Sequence, residues 1–164
     1  MSKKIEIKSI IYEFDSIEEL SEEDRALLEH AREAAVLAYA PYSNFYVGAA
    51  LLLKNDKILR GNNQENVAYP SGLCAERVAI FAAGAQYPDV PIKTIAITAK
   101  SKFFEVNEPV SPCGACRQVM AEYENRYGSD IRLILQGETG KIHIAESVKT
   151  LLPMMFNTEK LKKR

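Results

Sequence analysis

Cys74-Ala75-Glu76-Arg77-Val78-Ala79-Ile80-Phe81-Ala82-Ala83, running on to about Gln86, is apolar on nearly every face of a helix. That pattern predicts a central, buried helix rather than one with a wet side. Lys93 to Lys100 then reads as a strand. Working outward toward the C-terminus, Gly114 to about Tyr127 is a helix, Asp130 to Gln136 and Lys141 to Ala145 are strands, and a last helix begins near Ser147. In the other direction, Val47 to Lys54, the turn Asn55-Asp56 and Lys57 to Arg60 form a hairpin, followed by the polar loop from Gly61 to Asn66. Ser21-Glu22-Glu23-Asp24 starts an earlier helix with an N-cap hydroxyl and acids at the positive end of the dipole. Leu27, Leu28, Ala31, Ala34, Ala35 and Ala38 give that helix an apolar stripe ending before Pro41. Lys4 to Phe14 suits a short strand or an ordered arm. Strands alternating with helices predict an α/β domain of three layers, α/β/α, because each helix must cover one face of a largely buried sheet.

The chain has 164 residues, 47% hydrophobic and 26% charged, which is the composition of an ordinary globular domain. One domain over residues 1–164 is expected, with an N-terminal arm over 1–15 and a basic tail over 158–164. A chain of this size buries ~70% of its unfolded surface, so its core needs no disulfides. With 21 basic and 22 acidic residues, a net charge of −1 gives no electrostatic reason to seek nucleic acid or an anionic membrane. The apolar stretch after Lys3 and Lys4 is broken by Glu6 and Lys8, unlike a secretory signal. Val47 to Leu53 and Val78 to Ala85 fall far short of the ~20 residues of a membrane span. A cytoplasmic location is expected.

Three cysteines cannot form a closed disulfide set within one chain. All three fall at helix starts: Cys74 opens the buried helix, and Cys113 and Cys116 flank Gly114-Ala115 after Ser111-Pro112. Unsatisfied N–H groups and the dipole at a helix N-terminus favour thiolate, so Cys113 and Cys116 are either a redox dithiol or two zinc ligands. If Cys74 lies close, three-point soft coordination of zinc is complete and a fourth position stays open. Structural zinc sites use four protein ligands, whereas an open position binds water and lowers its pKa from ~15.7 towards ~7. Glu76, two residues after Cys74, then has general acid/base work available to it. Arg77 stands one turn after Cys74 in a segment too apolar for a solvated guanidinium. Its expected task is to hydrogen-bond the sulfurs and offset the net negative charge of three thiolates on Zn²⁺. Arg117 is a weaker candidate for the same task, a solvated surface role being an equal alternative.

The combination of Cys74-Ala75-Glu76-Arg77 with Pro112-Cys113-Gly114-Ala115-Cys116-Arg117-Gln118 resembles the zinc-dependent cytidine deaminases, in particular their small homotetrameric branch. The resemblance covers roughly positions 25 to 157 and includes Pro41 to Ala50, Asn63-Gln64-Glu65-Asn66, Tyr69 to Leu73, and Leu151-Leu152-Pro153 with Phe156. It implies a mixed five-stranded sheet, one zinc per chain on Cys74, Cys113 and Cys116, and Glu76 as proton shuttle. It also implies that Phe45 stacks on the pyrimidine, that Asn63 and Glu65 hold the ribose hydroxyl, and that the Ala75 N–H and Glu76 read the base. Tyr69 and Phe156 would reach neighbouring sites in a homotetramer. The expected reaction is hydrolytic deamination of cytidine and deoxycytidine to uridine and deoxyuridine, with release of ammonia. The sequence departs from the family's pattern at Tyr46, where many relatives carry proline, in the longer N-terminal arm, and in a slightly expanded stretch from Lys102 to Glu108.

Four alternatives compete. A related zinc deaminase could act on an aminopyrimidine antibiotic of the blasticidin S type, against which Asn63 and Glu65 argue. Deamination within tRNA or DNA fits poorly with the net charge and with a cysteine at the first ligand position. A structural zinc site would need a fourth protein ligand, and a redox pair would be metal-free. His30 and His143 lie near no ligand motif and are expected on the first helix's surface and on a strand.

Overall fold

A computed structural model describes residues 2–157. The strands are β1 (Tyr12–Phe14), β2 (Phe45–Leu53), β3 (Ile58–Asn62), β4 (Ile92–Ser101), β5 (Arg132–Gln136) and β6 (Ile142–Ala145), and the helices are α1 (Glu22–Val36), α2 (Ala75–Gln86) and α3 (Gly114–Tyr127). They form one mixed sheet in the order β1-β6-β5-β4-β2-β3, in which β4 and β5 run parallel and the other neighbours antiparallel.

The sheet therefore has six strands, not the five expected. The extra one comes from the N-terminal arm, where Tyr12 pairs with Ile144 and Phe14 with Ile142. Without β1, β6 would leave a row of backbone donors and acceptors unpaired at the sheet's edge. The helix expected near Ser147 is a single 3₁₀ turn, Val148–Thr150. Ser147 caps it through the Lys149 N–H, but Pro153 follows too closely for a longer helix. The expectation of a basic tail at 158–164 lies outside the described residues. Among the described residues, no helix is long and apolar enough to cross a membrane.

The three layers follow from the period of two along the strands. Ala50, Leu52, Ala96 and Ile134 point to α1, packing on Leu27, Leu28 and Ala31. Ala49, Leu51, Ile95, Ile97, Leu133 and Leu135 point to the opposite face, against Ala79, Ile80 and Ala83 of α2 and Met120 and Ala121 of α3. Two strand glycines allow close approach on either side. A Cβ on Gly48 would run into the Ala31 carbonyl of α1, and one on Gly61 into the Ala75 carbonyl of α2. The buried-helix reading of α2 holds for Ala75, Glu76, Ala79, Ile80 and Ala83 but not for Phe81, which is 45% exposed on the helix's outer side. An outer-layer helix covers the sheet with one face only, and Phe81 stands on the other.

Topology places the site. β3 and β4 are both antiparallel to β2, so they run in the same direction, and β5 runs with β4. α2 follows β3 and α3 follows β4, so both helices start at the same end of the sheet, beyond the carboxyl ends of these strands.

Candidate metal and active site

Cys74 is the N-cap of α2 and Cys113 the N-cap of α3, both with extended backbone, while Cys116 stands in the first turn of α3. Sequence distance is erased by the shared helix starts. Cys74 Sγ lies 3.9 Å from Cys113 Sγ, and Cys113 Sγ 3.5 Å from Cys116 Sγ. All three sulfurs are within 4.8 Å of one another. Thiolates ~2.3 Å from one zinc at tetrahedral angles sit roughly 3.8 Å apart, close to the 3.9 and 3.5 Å separations of this cluster, so it fits the ion. Burial grades across it: Cys116 is buried, Cys74 half-buried and Cys113 exposed.

The Arg77 Nη2 donates to Cys74 Sγ at 3.6 Å. The Cys116 thiol, also bonded to Cys74, is the larger influence, and with Arg77 it brings Cys74 down to about 5. Cys116 is correspondingly pushed far up, first by the hydrogen bond it gives to Cys74 and then by burial. Arg77 occupies the place expected of it, and its guanidinium is stabilised in turn by the Cys74 sulfur. Arg117 does not reach the sulfurs. Its Nε donates to the Pro112 carbonyl and its Nη1 to the Leu151 carbonyl, tying the turn before α3 to the segment after Thr150.

Glu76 is only 4% exposed and shares a cavity of about 630 Å³ with Cys74, Cys113 and Arg77. Burial pushes its carboxyl above the ordinary range. Asn63 and Glu65 line the same cavity, and Tyr69, expected at a neighbouring chain's site, also lines the cavity of its own chain. Ala75, the first residue of α2, is fully buried beside it. Phe45 opens β2 on the same face as Val47, which lines the cavity two residues on, though Phe45 itself is not part of that wall. Phe156 is not brought to the cavity of its own chain. It is 70% exposed, and its backbone N–H and C=O are both bonded to the Gln118 side chain on α3. His30 is on α1, and His143 on β6 faces Glu13, so neither approaches the cysteines.

The polar loop has work of its own. Asn63 Oδ1 accepts from the Val47 N–H at 2.8 Å and its Nδ2 donates to the Phe45 carbonyl at 2.9 Å, fixing the start of β2. Glu65 accepts from the Tyr42 N–H at 2.8 Å, the Ser43 N–H at 3.3 Å and the Ser43 hydroxyl at 2.5 Å. Desolvation pushes the Glu65 carboxyl up, but these hydrogen bonds outweigh it and hold the group below its ordinary range. Ser43 is the residue that sequence reasoning missed. Its partner is 22 positions away, and no local spacing announces a contact that depends on Asn44 taking a left-handed turn (φ 53°) into β2.

Residues 21–127 match the cytidine and deoxycytidylate deaminase zinc-binding region. The chain belongs to this family. Its matched region contains all three cysteines and Glu76, and it is a zinc-binding deaminase domain. The chain is 42% identical over 136 residues to the cytidine deaminase of Halalkalibacterium halodurans, covering 81% of this chain and 93% of that one. It is 40% identical over 135 residues to the cytidine deaminase of Sporosarcina psychrophila, covering 82% and 92% respectively. The crystal structure of cytidine deaminase from Burkholderia pseudomallei superimposes with a TM-score of 0.71 at 38% identity, covering 84% of this chain and all 100% of that one. The α/β architecture is thus the family's own.

Proposed function

We propose that this deaminase converts cytidine and deoxycytidine to uridine and deoxyuridine by hydrolysis, with Cys74, Cys113 and Cys116 holding one zinc per chain and Glu76 moving the protons. The observation that carries the reading is the convergence of three sulfurs within 4.8 Å at two helix starts, beside a buried carboxyl in one cavity. Zinc on three thiolates supplies Lewis acidity at an open position, which lowers the pKa of water towards ~7. Water adds at C4 of the base and ammonia leaves. Glu76 accepts the water's two protons in turn, delivering the first to N3 and the second to the departing amine, and a carboxyl whose affinity for protons is raised by burial suits that exchange. Arg77 offsets the negative charge of the sulfurs. Phe45 stacks on the base, the Ala75 N–H reads its edge, and Asn63 and Glu65 take the ribose hydroxyl.

The same reading makes the protein a cytoplasmic homotetramer of pyrimidine salvage. Tyr69 is 76% and Phe156 70% exposed in the single chain, which supports their use against neighbouring subunits. Light scattering on the purified protein measures that state directly, and a monomer would remove Phe156 from the site and leave Tyr69 only in its own chain's cavity. Loss of cytidine ultraviolet absorbance, with and without a zinc chelator, tests the reaction. We expect turnover that the chelator abolishes, with about one zinc per chain. Metal-free protein that turns over dithiols would replace the deaminase reading. Turnover of blasticidin S without turnover of cytidine would replace the substrate.

A further inference from the structure

The stretch after β4 carries two exposed phenylalanines that the reaction leaves unused. Phe103 is 70% and Phe104 60% exposed, in the segment that the sequence marks as expanded. Such exposure in a floppy loop would mean little, but this loop is fastened at both ends. At its start, the Lys102 N–H donates to the Asn44 carbonyl, at 3.1 Å, immediately before Phe45. At its far end Val106 is buried, its carbonyl accepts from the Glu138 and Thr139 N–H groups, and the Thr139 hydroxyl donates to Glu105 at 2.8 Å.

Between these anchors Phe104 folds back onto Phe45. Phe45 pairs with Ser101 across β2 and β4, and Phe104, three residues further on, brings its ring centroid to 6.5 Å from that of Phe45 with the planes 31° apart. Phe104 lines a shallow second cavity of about 440 Å³ together with Ser101, Lys102 and Glu138, and not the main one. It therefore meets Phe45 from outside the substrate cavity. The backbone of Phe45 is already held, its N–H by the Ser43 hydroxyl and its carbonyl by Asn63. The side-chain torsions of a half-buried phenylalanine at the first position of a strand are what such backbone bonds leave free.

We infer that Phe104 is a positioning residue for Phe45, holding its ring in the orientation that stacks on the pyrimidine. The inference rests on the cytidine reading above. A ring that is aligned in advance improves binding of substrate and transition state alike, so its loss raises KM and leaves kcat alone. An offset or tilted aromatic pair accounts for a change of ~2–10-fold.

Steady-state deamination of cytidine by the wild type and by Phe104→Ala, Phe104→Tyr and Phe103→Ala, with Tm measured on each, tests it. Phe104→Ala is expected to raise KM ~2–10-fold with kcat within ~2-fold, Phe104→Tyr to restore KM, and Phe103→Ala to leave it unchanged. An unchanged KM in Phe104→Ala, or a loss confined to kcat and Tm, would overturn the inference while leaving the deaminase reading intact. An equal rise in Phe103→Ala would overturn it too, since the loop as a whole rather than the ring pair would then be responsible. Absence of cytidine turnover by the wild type would overturn the substrate reading and this inference together.

Discussion

The two faces of the sheet are packed from the same kinds of residue, yet only one carries chemistry, and the difference lies in helix direction. α1 precedes β2 and ends at the edge where the cysteines gather, where the Ala34 carbonyl of its last turn accepts from Asn62 Nδ2 at the close of β3. α2 and α3 begin at that edge. One face thus presents carbonyl oxygens and the negative end of a dipole, and the other presents unsatisfied N–H groups and two positive ends. Thiolates are stabilised only beside the second. The α1 face is fastened instead by ion pairs of ordinary type, the Arg132 guanidinium gripping Asp24 through both carboxylate oxygens.

Substitutions can break each face separately. The largest effect is expected from Cys113→Ser: loss of stoichiometric zinc by metal analysis, together with all measurable turnover. Glu76→Gln is expected to keep the zinc while turnover falls ~10²–10⁴-fold. Because burial disfavours the charged carboxylate, this variant is also expected to melt higher than wild type, and a nearly full rate would rule out the proton role. On the opposite face, Gly48→Val must push α1 off the sheet and is expected to lower Tm by ~10 °C or more, seen by calorimetry, whereas unchanged melting would mean that α1 can shift at no cost.

Smaller effects sharpen the comparison. Glu124, 2% exposed in α3, accepts from the Ile131 and Val148 N–H groups and the Ser147 hydroxyl. Glu124→Ala strands these buried donors and is expected to cost ~1–3 kcal/mol in denaturant melts, with kcat intact at low denaturant. Chemistry and stability would then separate within a single helix. The smallest change is expected from Ser43→Ala. Glu65 is held below the ordinary carboxylate range, so what its ionised form contributes is present above the unfolded pKa and is lost as pH falls through the lower folded one. Removing the Ser43 hydroxyl raises the folded value. Stability and the acid limb of kcat/KM should then decline at a higher pH than in wild type, and an unmoved profile would dismiss the Ser43 contact.

Much of this was legible in the chain. The starts of α2 and α3, both faces of β2 and the stripe of α1 follow from local periodicity and caps, which are short-range properties. The cysteines and Glu76 were legible because residue type, helix position and spacing agree. Other features were not. β1 forms because β6 needs an edge partner some 130 residues away along the chain. Ser43 matters through a contact made only when β2 and β3 pair, and Phe104 through one made only when β2 and β4 pair. Phe156 carries no mark in its neighbourhood of where it will lie.

By itself the sequence determined that an odd set of three cysteines stands at helix starts beside an acid and an arginine, because capping, dipole and thiol chemistry act within a few residues. Only the tertiary structure decided that Cys74 and Cys113, 39 positions apart, stand 3.9 Å from each other. The parallel course of β3, β4 and β5 requires both helices to begin at one end of the sheet, and that long-range geometry gathers three separate thiols into one cluster that fits a metal ion.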